Sequence, residues 1–251
     1  MKKATYYVSA MLMAACFTQP AAAQFEGEIT YNSYEYTDGE ETSGDSFMLY
    51  ITPERILLQG EKKYDFMESL KTDGVLVRLD SQDFVFLTGG GEALKIAKTD
   101  ITSLMNMFNN GSNGGEALDE DYDIQQNRTG ETQTIKGYRS EKFVFRDEGD
   151  PDNNYSEVWM TNEIDVNWGM LAEPWGGDTD AVMSDDFPMD LVFKENYFPL
   201  KLEAYKNGKL ISALEAMEIK EVSVDPAMTE VPSGVKVLSM QEYLFQKMNN
   251  R

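Results

Sequence analysis

The stretch GETQTIKGYRSEKFVFRD, residues 130–147, has the pattern of two short strands joined by a tight turn. β-Branched and aromatic residues, which favour strands, flank Lys136 and Gly137, and glycine accepts the backbone angles that a two-residue hairpin turn requires. Tyr138 and Phe143 can enter a core, while the charged residues around them stay in solvent. Since nothing in the stretch forms an activated nucleophile or a metal cage, it predicts a β-hairpin that serves as scaffold.

Most of the remaining chain continues this alternation of apolar and polar residues. The clearest runs, each bounded by Gly, Asp, Asn or Ser, are FEGEITYNSYEYT, SFMLYIT, RILLQG, GVLVRLD, DFVFLTG and NYSEVWMTNEI. Near the C-terminus, Asn207 and Gly208 predict a second two-residue hairpin turn. Ser239 and Glu242 have the spacing of a capping box for a last short helix. The sequence therefore predicts one β-rich domain over residues 24–251, built as an antiparallel meander.

One helix is expected to interrupt the strands. Asp100 is a suitable N-cap, and Gly111 ends the pattern. The apolar residues between them recur at helical spacing: Ile101, Leu104, Met105 and Phe108. This apolar side must cover something, most simply one face of the sheet. The residues that follow, 109–123, predict an acidic loop that is too polar to be buried.

The segment 164–198 is the least regular part of the chain. It contains Trp168, Met170, Leu171 and Trp175, which follow no clean period, and several Gly and Pro residues interrupt it. Trp and Met suit adaptable apolar contact surfaces. Two interpretations remain open at this point, namely ordinary core beneath a long loop and a mobile cover over a cavity.

The N-terminus predicts an exported protein. Lys2 and Lys3 precede a mostly apolar run, and residues 21–23, Ala-Ala-Ala, form an A-x-A cleavage site. This is the pattern of a secretory signal peptide over residues 1–23. The protein is thus expected in the periplasm or at the outer envelope. Met13 to Cys16 also loosely resembles a lipobox, which would make Cys16 a lipid anchor, although the A-x-A site is the cleaner match.

Composition excludes several kinds of chemistry. The chain has no His and one Cys, Cys16, so a Ser-His-Asp triad, a Cys nucleophile after cleavage, the usual zinc sites and a haem His ligand are ruled out. Removal of the two lysines at positions 2 and 3 leaves 20 basic against 44 acidic residues, a formal charge of −24. Nucleic acid and anionic lipid surfaces would repel such a protein. No cofactor is implied, and no transmembrane segment follows residue 23.

One acidic turn has part of a calcium-binding pattern. Asp150, Asp152 and Asn154 have the spacing of EF-hand ligands. The positions that need Gly and Glu in such a loop hold Tyr155 and Thr161, so no metal site is predicted.

The opening hairpin and the strand after it resemble a bacterial envelope family labelled a domain of unknown function (number 4412). The matching pattern is T-x-x-I-x-G-Y-x-x-x-K followed by E-x-W-x-T, here Thr134, Ile135, Gly137, Tyr138, Lys142, Glu157, Trp159 and Thr161. FPLK near the C-terminus and Pro232 with Gly234 are similar too. Members resemble the LolA/LolB lipoprotein carriers, which implies an α+β, β-dominated fold: a strongly curved antiparallel sheet, an unclosed barrel, with a few short helices over its concave face. The resemblance supplies no catalytic residues.

Three functions follow from these observations. The first is a non-enzymatic envelope protein that binds an apolar or lipid-like ligand, such as an acyl chain, inside the curved sheet. Its candidate ligand-binding residues are Met105, Phe108, Trp168, Met170, Leu171 and Trp175. The alternative is a structural or protein-interaction module of the envelope with no small-molecule ligand. A carboxylate-based hydrolase is a distant third, because it needs two acidic side chains about 5 to 10 Å apart in a cleft.

Overall fold

The computed structural model describes residues 24–66, 70–100, 123–146, 153–172 and 189–249. Within these ranges twelve strands form one sheet. Their bounds are β1 Gly27–Thr37, β2 Glu40–Ile51, β3 Arg55–Phe66, β4 Leu70–Arg78, β5 Asp83–Leu87, β6 Glu92–Ala97, β7 Arg128–Ile135, β8 Tyr138–Arg146, β9 Tyr155–Thr161, β10 Phe198–Lys206, β11 Lys209–Glu221 and β12 Lys236–Ser239. The helices are α1 Met189–Lys194 and α2 Met240–Asn249, with 3-10 helices at Ile124–Asn127, Gly169–Ala172 and Pro226–Thr229.

The sheet is open and almost wholly antiparallel. Its strand order is β12-β6-β5-β4-β3-β2-β1-β11-β10-β9-β8-β7, so β12 and β7 are its two edges. The predicted β-dominated fold with an unclosed antiparallel sheet is confirmed. One pair differs, because β12 runs parallel to β6. The connection of residues 222–235 is long enough to cross the sheet and return in the same direction, whereas a hairpin turn is not.

The sheet is strongly curved. β6 and β9 are eight positions apart in the strand order, which would separate them by roughly 38 Å on a flat sheet. Met170, nine residues after the end of β9, nevertheless accepts a hydrogen bond of 3.2 Å from Lys98, the residue after β6. The concave face therefore encloses one core to which both halves of the sheet contribute.

The strands β2 to β6 are covered on both faces along part of their length. Their alternate side chains enter the concave core at one face and a second apolar cluster at the other. Val224, Val231 and Val235, from the connection between β11 and β12, pack on that second cluster. This half of the sheet thus forms the inner layer of a sandwich, which explains why its strands are more continuously apolar than β7 or β8.

The local signals in the sequence formed as predicted. Lys136 and Gly137 join β7 to β8 with φ of +50° and +94°, and Asn207 and Gly208 join β10 to β11 with φ of +52° and +72°. In the capping box at the start of α2, the backbone N–H of Ser239 donates to the Glu242 carboxylate, and the Glu242 N–H donates back to the Ser239 hydroxyl.

The predicted helix after β6 begins earlier than expected. Residues 98–100 are already helical, so Asp100 lies in the first turn and does not cap it. The rest of that helix and most of the acidic loop over 109–123 lie outside the described residues. No helix within the described ranges is both long and apolar enough to cross a membrane.

Candidate functional site

The concave face of the sheet is the apolar surface on which a site can be built. Its largest fully buried side chains come from strands in both halves of the sheet: Ile29, Ile51, Leu94, Ile96, Phe143, Met160, Phe198 and Leu200. Alternate residues of each strand point to this face because successive side chains in a strand project to opposite sides. The resulting surface offers dispersion contacts and excludes water, and so suits an apolar partner.

A covering segment, residues 164–172, leaves β9 and crosses the concave face. It is held to the sheet at several separate points. The Phe25 N–H donates to the carbonyl of Asp165 at 2.6 Å, and the Asn167 side-chain amide donates to the carbonyl of Pro53 at 2.7 Å. Lys98 Nζ donates to the carbonyl of Met170, as described above. The covering segment therefore runs from β9 to the other half of the curved sheet and is held there by polar contacts spread along its length.

Gly169 brings the covering segment close to the end of β4. Its φ is +47°, and a Cβ at this position would lie 3.1 Å from the Leu79 side chain. A larger residue would have to push Leu79 aside and would also adopt a left-handed conformation that L-residues disfavour. The absence of a side chain at Gly169 thus lets the covering segment pack closely against this end of the sheet.

Trp168 is the centre of the contact between the covering segment and the core. Its ring lies on that of Phe193 from α1, with centroids 3.8 Å apart and planes inclined by 18°. The centroid of the Trp168 ring also lies 5.7 Å from that of Phe198, at the start of β10. Only 7% of Trp168 is exposed. Trp168 is thus packed as a core residue of the concave face.

The indole nitrogen of Trp168 is a buried hydrogen-bond donor. Among the described residues, Trp168 Nε1 has no hydrogen-bond acceptor. A buried donor without a partner costs about 1–3 kcal/mol, and folded proteins leave few of them. An oxygen acceptor that entered this apolar region would recover that free energy. Trp168 Nε1 is therefore a candidate for a polar group that would orient a ligand.

The structure brings together three of the six predicted ligand-binding residues. Trp168 and Met170 are buried in the concave core, and Leu171 is half-buried and packs against it. Met105, Phe108 and Trp175 lie outside the described residues. The start of the irregular segment 164–198 thus packs into the core. The next described strand, β10, begins at Phe198.

Sequence reasoning missed the aromatic partners of Trp168. Phe193 and Phe198 both stack on Trp168, and neither was among the candidate residues. Phe198 opens the FPLK run, a signal that could have placed it beside the irregular segment. Phe193 gave no such signal, because a phenylalanine that lines a site and one that fills a core have the same sequence pattern.

The concave core also contains a tyrosine with a structural role. The hydroxyl of Tyr31 donates to the carbonyl of Pro199 at 2.6 Å, which ties β1 to β10 across β11. Burial raises the pKa of Tyr31 far above its usual value of 10.0. Tyr31 therefore stays protonated and does not act as a base at neutral pH.

The convex face of β8 to β10 is polar and internally paired. Lys142 lies 2.8 Å from Glu157, and its pKa is raised by that hydrogen bond and by the neighbouring carboxylates. Tyr155 and Tyr205 stack with centroids 4.6 Å apart, and the Arg146 guanidinium lies 4.7 Å from the Tyr155 ring. These groups satisfy one another across neighbouring strands and so stabilise the sheet.

Metal binding finds no support within the described ranges. There, no group of three or more Asp or Glu residues could hold a metal ion. The acidic turn with the partial calcium pattern lies mostly outside these ranges.

The sequence family of this β-rich chain is shown by a family model. The model of the family described as a domain of unknown function (DUF4412) matches residues 93–235, and the chain belongs to that family. The family predicted from the hairpin over 130–147 is thereby confirmed. A search of curated proteins found no match.

Several solved structures are distantly similar to the chain. The chain is 18% identical to PNGF-II, with a TM-score of 0.44. The match covers 89% of this chain and 32% of that protein. It thus spans about a third of PNGF-II. An uncharacterized conserved protein from Thermus thermophilus is 10% identical, with a TM-score of 0.43 and coverage of 85% of this chain and 91% of the other. The LolA superfamily protein NE2245 from Nitrosomonas europaea is 8% identical, with a TM-score of 0.30 and coverage of 83% and 91%. A LolA superfamily protein is thus found among the distant structural neighbours, as the sequence resemblance led us to expect.

Proposed function

We propose that this chain is an exported, non-enzymatic protein of the cell envelope that binds an apolar or lipid-like ligand on the concave face of its sheet. The leader pattern over residues 1–23 supports export. The lack of His, and of Cys after the leader, supports binding without catalysis. The ligand is an acyl chain or a similar apolar group that carries at least one oxygen acceptor.

The buried N–H of Trp168, which has no acceptor among the described residues, is the observation that carries this proposal. It belongs to the covering segment and is buried against the apolar core beside Phe193. Pure hydrocarbon would leave the N–H unsatisfied, whereas an ester, amide or carboxyl oxygen would accept from it. Binding sites of this kind are mostly apolar, with a few polar groups that fix the orientation of the ligand.

The cover can move without unfolding of the sheet. Between β9 and β10 the described elements are a four-residue 3-10 helix and the six-residue α1. Helices this short gain most of their stability from packing and not from their own hydrogen bonds. Separation of the Trp168–Phe193 pair would therefore expose the apolar floor at much lower cost than the opening of any strand pair.

The test is native mass spectrometry, with organic extraction, of protein purified from its own envelope without detergent. A stoichiometric lipid-like adduct is expected. Trp168→Phe, which removes the N–H and keeps an aromatic ring, should weaken retention of the adduct about tenfold. Trp159→Phe, on the convex face, is the matched control and should retain it. A clean mass for the wild type, with no uptake of added fatty acid or lipopeptide, would contradict the proposal.

The second candidate function is a structural or protein-interaction module of the envelope. It is favoured by the packing of Trp168 against Phe193 and Phe198, which is the packing of an ordinary core residue. On this alternative, the same purification yields no adduct but yields a co-purifying envelope protein in fixed proportion. Retention of that protein should then be unaffected by Trp168→Phe.

A further inference from the structure

Phe25 is fixed in the structure by both its side chain and its backbone. Only 5% of Phe25 is exposed, and its N–H donates to the carbonyl of Asp165 in the covering segment at 2.6 Å. A Cβ at Gly27 would lie 2.8 Å from the Phe25 ring, so the ring packs over a position that has no side chain. Strand β1 then begins at Gly27, between β2 and β11. The chain is therefore held in place from Phe25 onward.

Gln24 lies just outside this fixed part of the chain. It is exposed and belongs to no strand or helix. Residues 21–23 form the A-x-A cleavage site, so removal of the leader makes Gln24 the first residue of the mature chain. Cleavage there leaves one residue outside the anchored chain, and that residue is a glutamine.

A glutamine at the N-terminus carries both partners of an intramolecular reaction. Its α-amino nitrogen attacks Cδ of its own side-chain amide and closes a five-membered lactam ring. The Cδ–Nε2 bond breaks, and the side-chain nitrogen leaves as ammonia with a proton that the α-amine gives up. No water, oxidant or metal is consumed. Because both groups belong to one residue, no second molecule has to be ordered, and part of the α-amine is unprotonated near neutral pH.

The fold does not require a charged amine at position 24. Two acidic side chains border this end of the chain, Glu26 and Asp165, and each already has a hydrogen-bond donor. The Val224 N–H donates to the Glu26 carboxylate at 2.8 Å, and the Asn196 side-chain amide donates to the Asp165 carboxylate at 2.8 Å. The hydrogen bond from the Phe25 N–H is also kept, because the reaction does not change that peptide nitrogen. Loss of the terminal charge therefore breaks none of these contacts.

We infer that Gln24 of the exported protein is converted to pyroglutamate. The inference rests on removal of residues 1–23, which is part of the proposed function, and not on any ligand of the concave face. The product has a neutral lactam in place of the free α-amine. An aminopeptidase needs that amine and so cannot start at Gln24, while Phe25 behind it is buried. The modification thus protects the one exposed residue that leader cleavage leaves ahead of β1 and its anchor.

The test is mass spectrometry of the protein expressed with its whole leader in its own host and purified from the envelope. The mature chain should begin at position 24 and be lighter by one ammonia than the unmodified chain. Residues 24–55 contain no lysine and one arginine, Arg55, at their end. Their tryptic peptide can therefore take up an amine-labelling reagent only at its N-terminus. We expect this peptide to remain unlabelled.

Gln24→Asn is the matched control. Asparagine keeps the amide but is shorter by one CH₂, so attack by its α-amine would have to close a strained four-membered ring. The variant should have a free N-terminus, and its peptide over residues 24–55 should be labelled completely. Treatment of the wild type with a pyroglutamyl aminopeptidase after unfolding should remove one residue and make Phe25 available for labelling. The same treatment should leave Gln24→Asn unchanged.

The possible results separate this inference from the predicted export. A mature chain that begins at Gln24 with its full mass and a labelled N-terminus overturns the inference and leaves leader cleavage supported. A chain that begins at any other residue, or at a lipid-modified Cys16, overturns both the inference and the predicted cleavage site. An unlabelled terminus in Gln24→Asn would also overturn it, because the block would then not depend on ring closure by glutamine.

Discussion

Trp168 and Phe193 lie face to face, with ring centroids 3.8 Å apart, and join the covering segment to α1. Both residues are more than nine-tenths buried. Aromatic pairs of this kind add about 0.5–1.5 kcal/mol to the free energy gained from burial of their area. The pair is therefore one apolar attachment of the cover to the core, beside those of Ile164, Val166 and Met170.

Replacement of Phe193 should loosen this attachment. Phe193→Ala removes a buried ring and leaves a cavity beside Trp168, so we expect a loss of about 3–4 kcal/mol in the free energy of unfolding. Urea unfolding followed by tryptophan fluorescence measures it. Phe245→Ala is the matched control, because 62% of Phe245 is exposed, and should change stability by less than about 0.5 kcal/mol. Equal effects of the two variants would contradict the packed role of Phe193.

Replacement of Trp168 by Phe should cost little stability in the ligand-free protein. The variant loses packing area, but it also removes a donor that has no acceptor among the described residues. These effects oppose each other, so we expect a change of less than about 1 kcal/mol. Trp168→Ala, which loses the ring as well, should cost about 3–5 kcal/mol. A loss of that size for Trp168→Phe would show that the N–H already has a partner.

The turn between β7 and β8 should require glycine at position 137. Gly137 has a φ of +94°, where an L-residue is strained. Gly137→Ala is therefore expected to cost about 1–2 kcal/mol, measured by thermal or urea unfolding. Gly90→Ala is the control, since its φ is outside the left-handed region and the nearest side-chain atom would be 3.8 Å from the new Cβ. That variant should change stability by less than about 1 kcal/mol.

The ion pair of Arg78 with Asp83 should contribute measurably to stability. The guanidinium donates twice to the carboxylate at 2.6 Å, and 7% of the Asp83 side chain is exposed. The hydrogen bond to Asp83 is the main reason that the pKa of Arg78 is raised. Asp83→Asn leaves a half-buried guanidinium without its counter-charge and should cost about 2–4 kcal/mol in urea unfolding.

The matched control for this ion pair is Asp38→Asn. Asp38 pairs with Lys209 at 3.2 Å, but both side chains are mostly exposed. Water and salt screen such a pair, so no measurable change is expected. A loss for Asp38→Asn as large as that for Asp83→Asn would contradict the importance of burial.

Stability should fall at alkaline pH because of Tyr205. Burial, followed by the charges of Glu203 and Glu157, raises the pKa of Tyr205 from 10.0 to about 12. In the unfolded chain Tyr205 releases its proton near pH 10, whereas the folded protein holds it until about pH 12. The unfolded state therefore binds fewer protons in this interval, and stability decreases as pH rises from about 10 to about 12.

Two variants check this assignment. Tyr205→Phe should have a shallower decrease in the free energy of unfolding between about pH 10 and 12, although Tyr31 still contributes because burial raises its pKa too. Glu203→Gln should lower the pKa of Tyr205, measured by the ultraviolet absorbance of tyrosinate, because one of the charges that raise it is gone. An unchanged pH dependence in Tyr205→Phe would contradict the assignment.

The sequence predicted the features of this protein that depend on neighbouring residues. Alternation of apolar and polar residues gave the strands, Lys136-Gly137 and Asn207-Gly208 gave two turns, and Ser239 with Glu242 gave the cap of α2. Each of these depends on backbone angles and hydrogen bonds within a few residues, which residue type alone largely fixes.

Only the tertiary structure determined how the strands are arranged and which side chains meet in the core. The parallel placement of β12, the curvature that brings Met170 to Lys98, and the stacking of Phe193 and Phe198 on Trp168 depend on residues far apart in the chain. The free energy of such contacts comes from burial of area between distant elements, and burial does not distinguish one apolar residue from another in the sequence. For the same reason, the sequence named Trp168 as a candidate, but only the fold showed its N–H buried without an acceptor among the described residues.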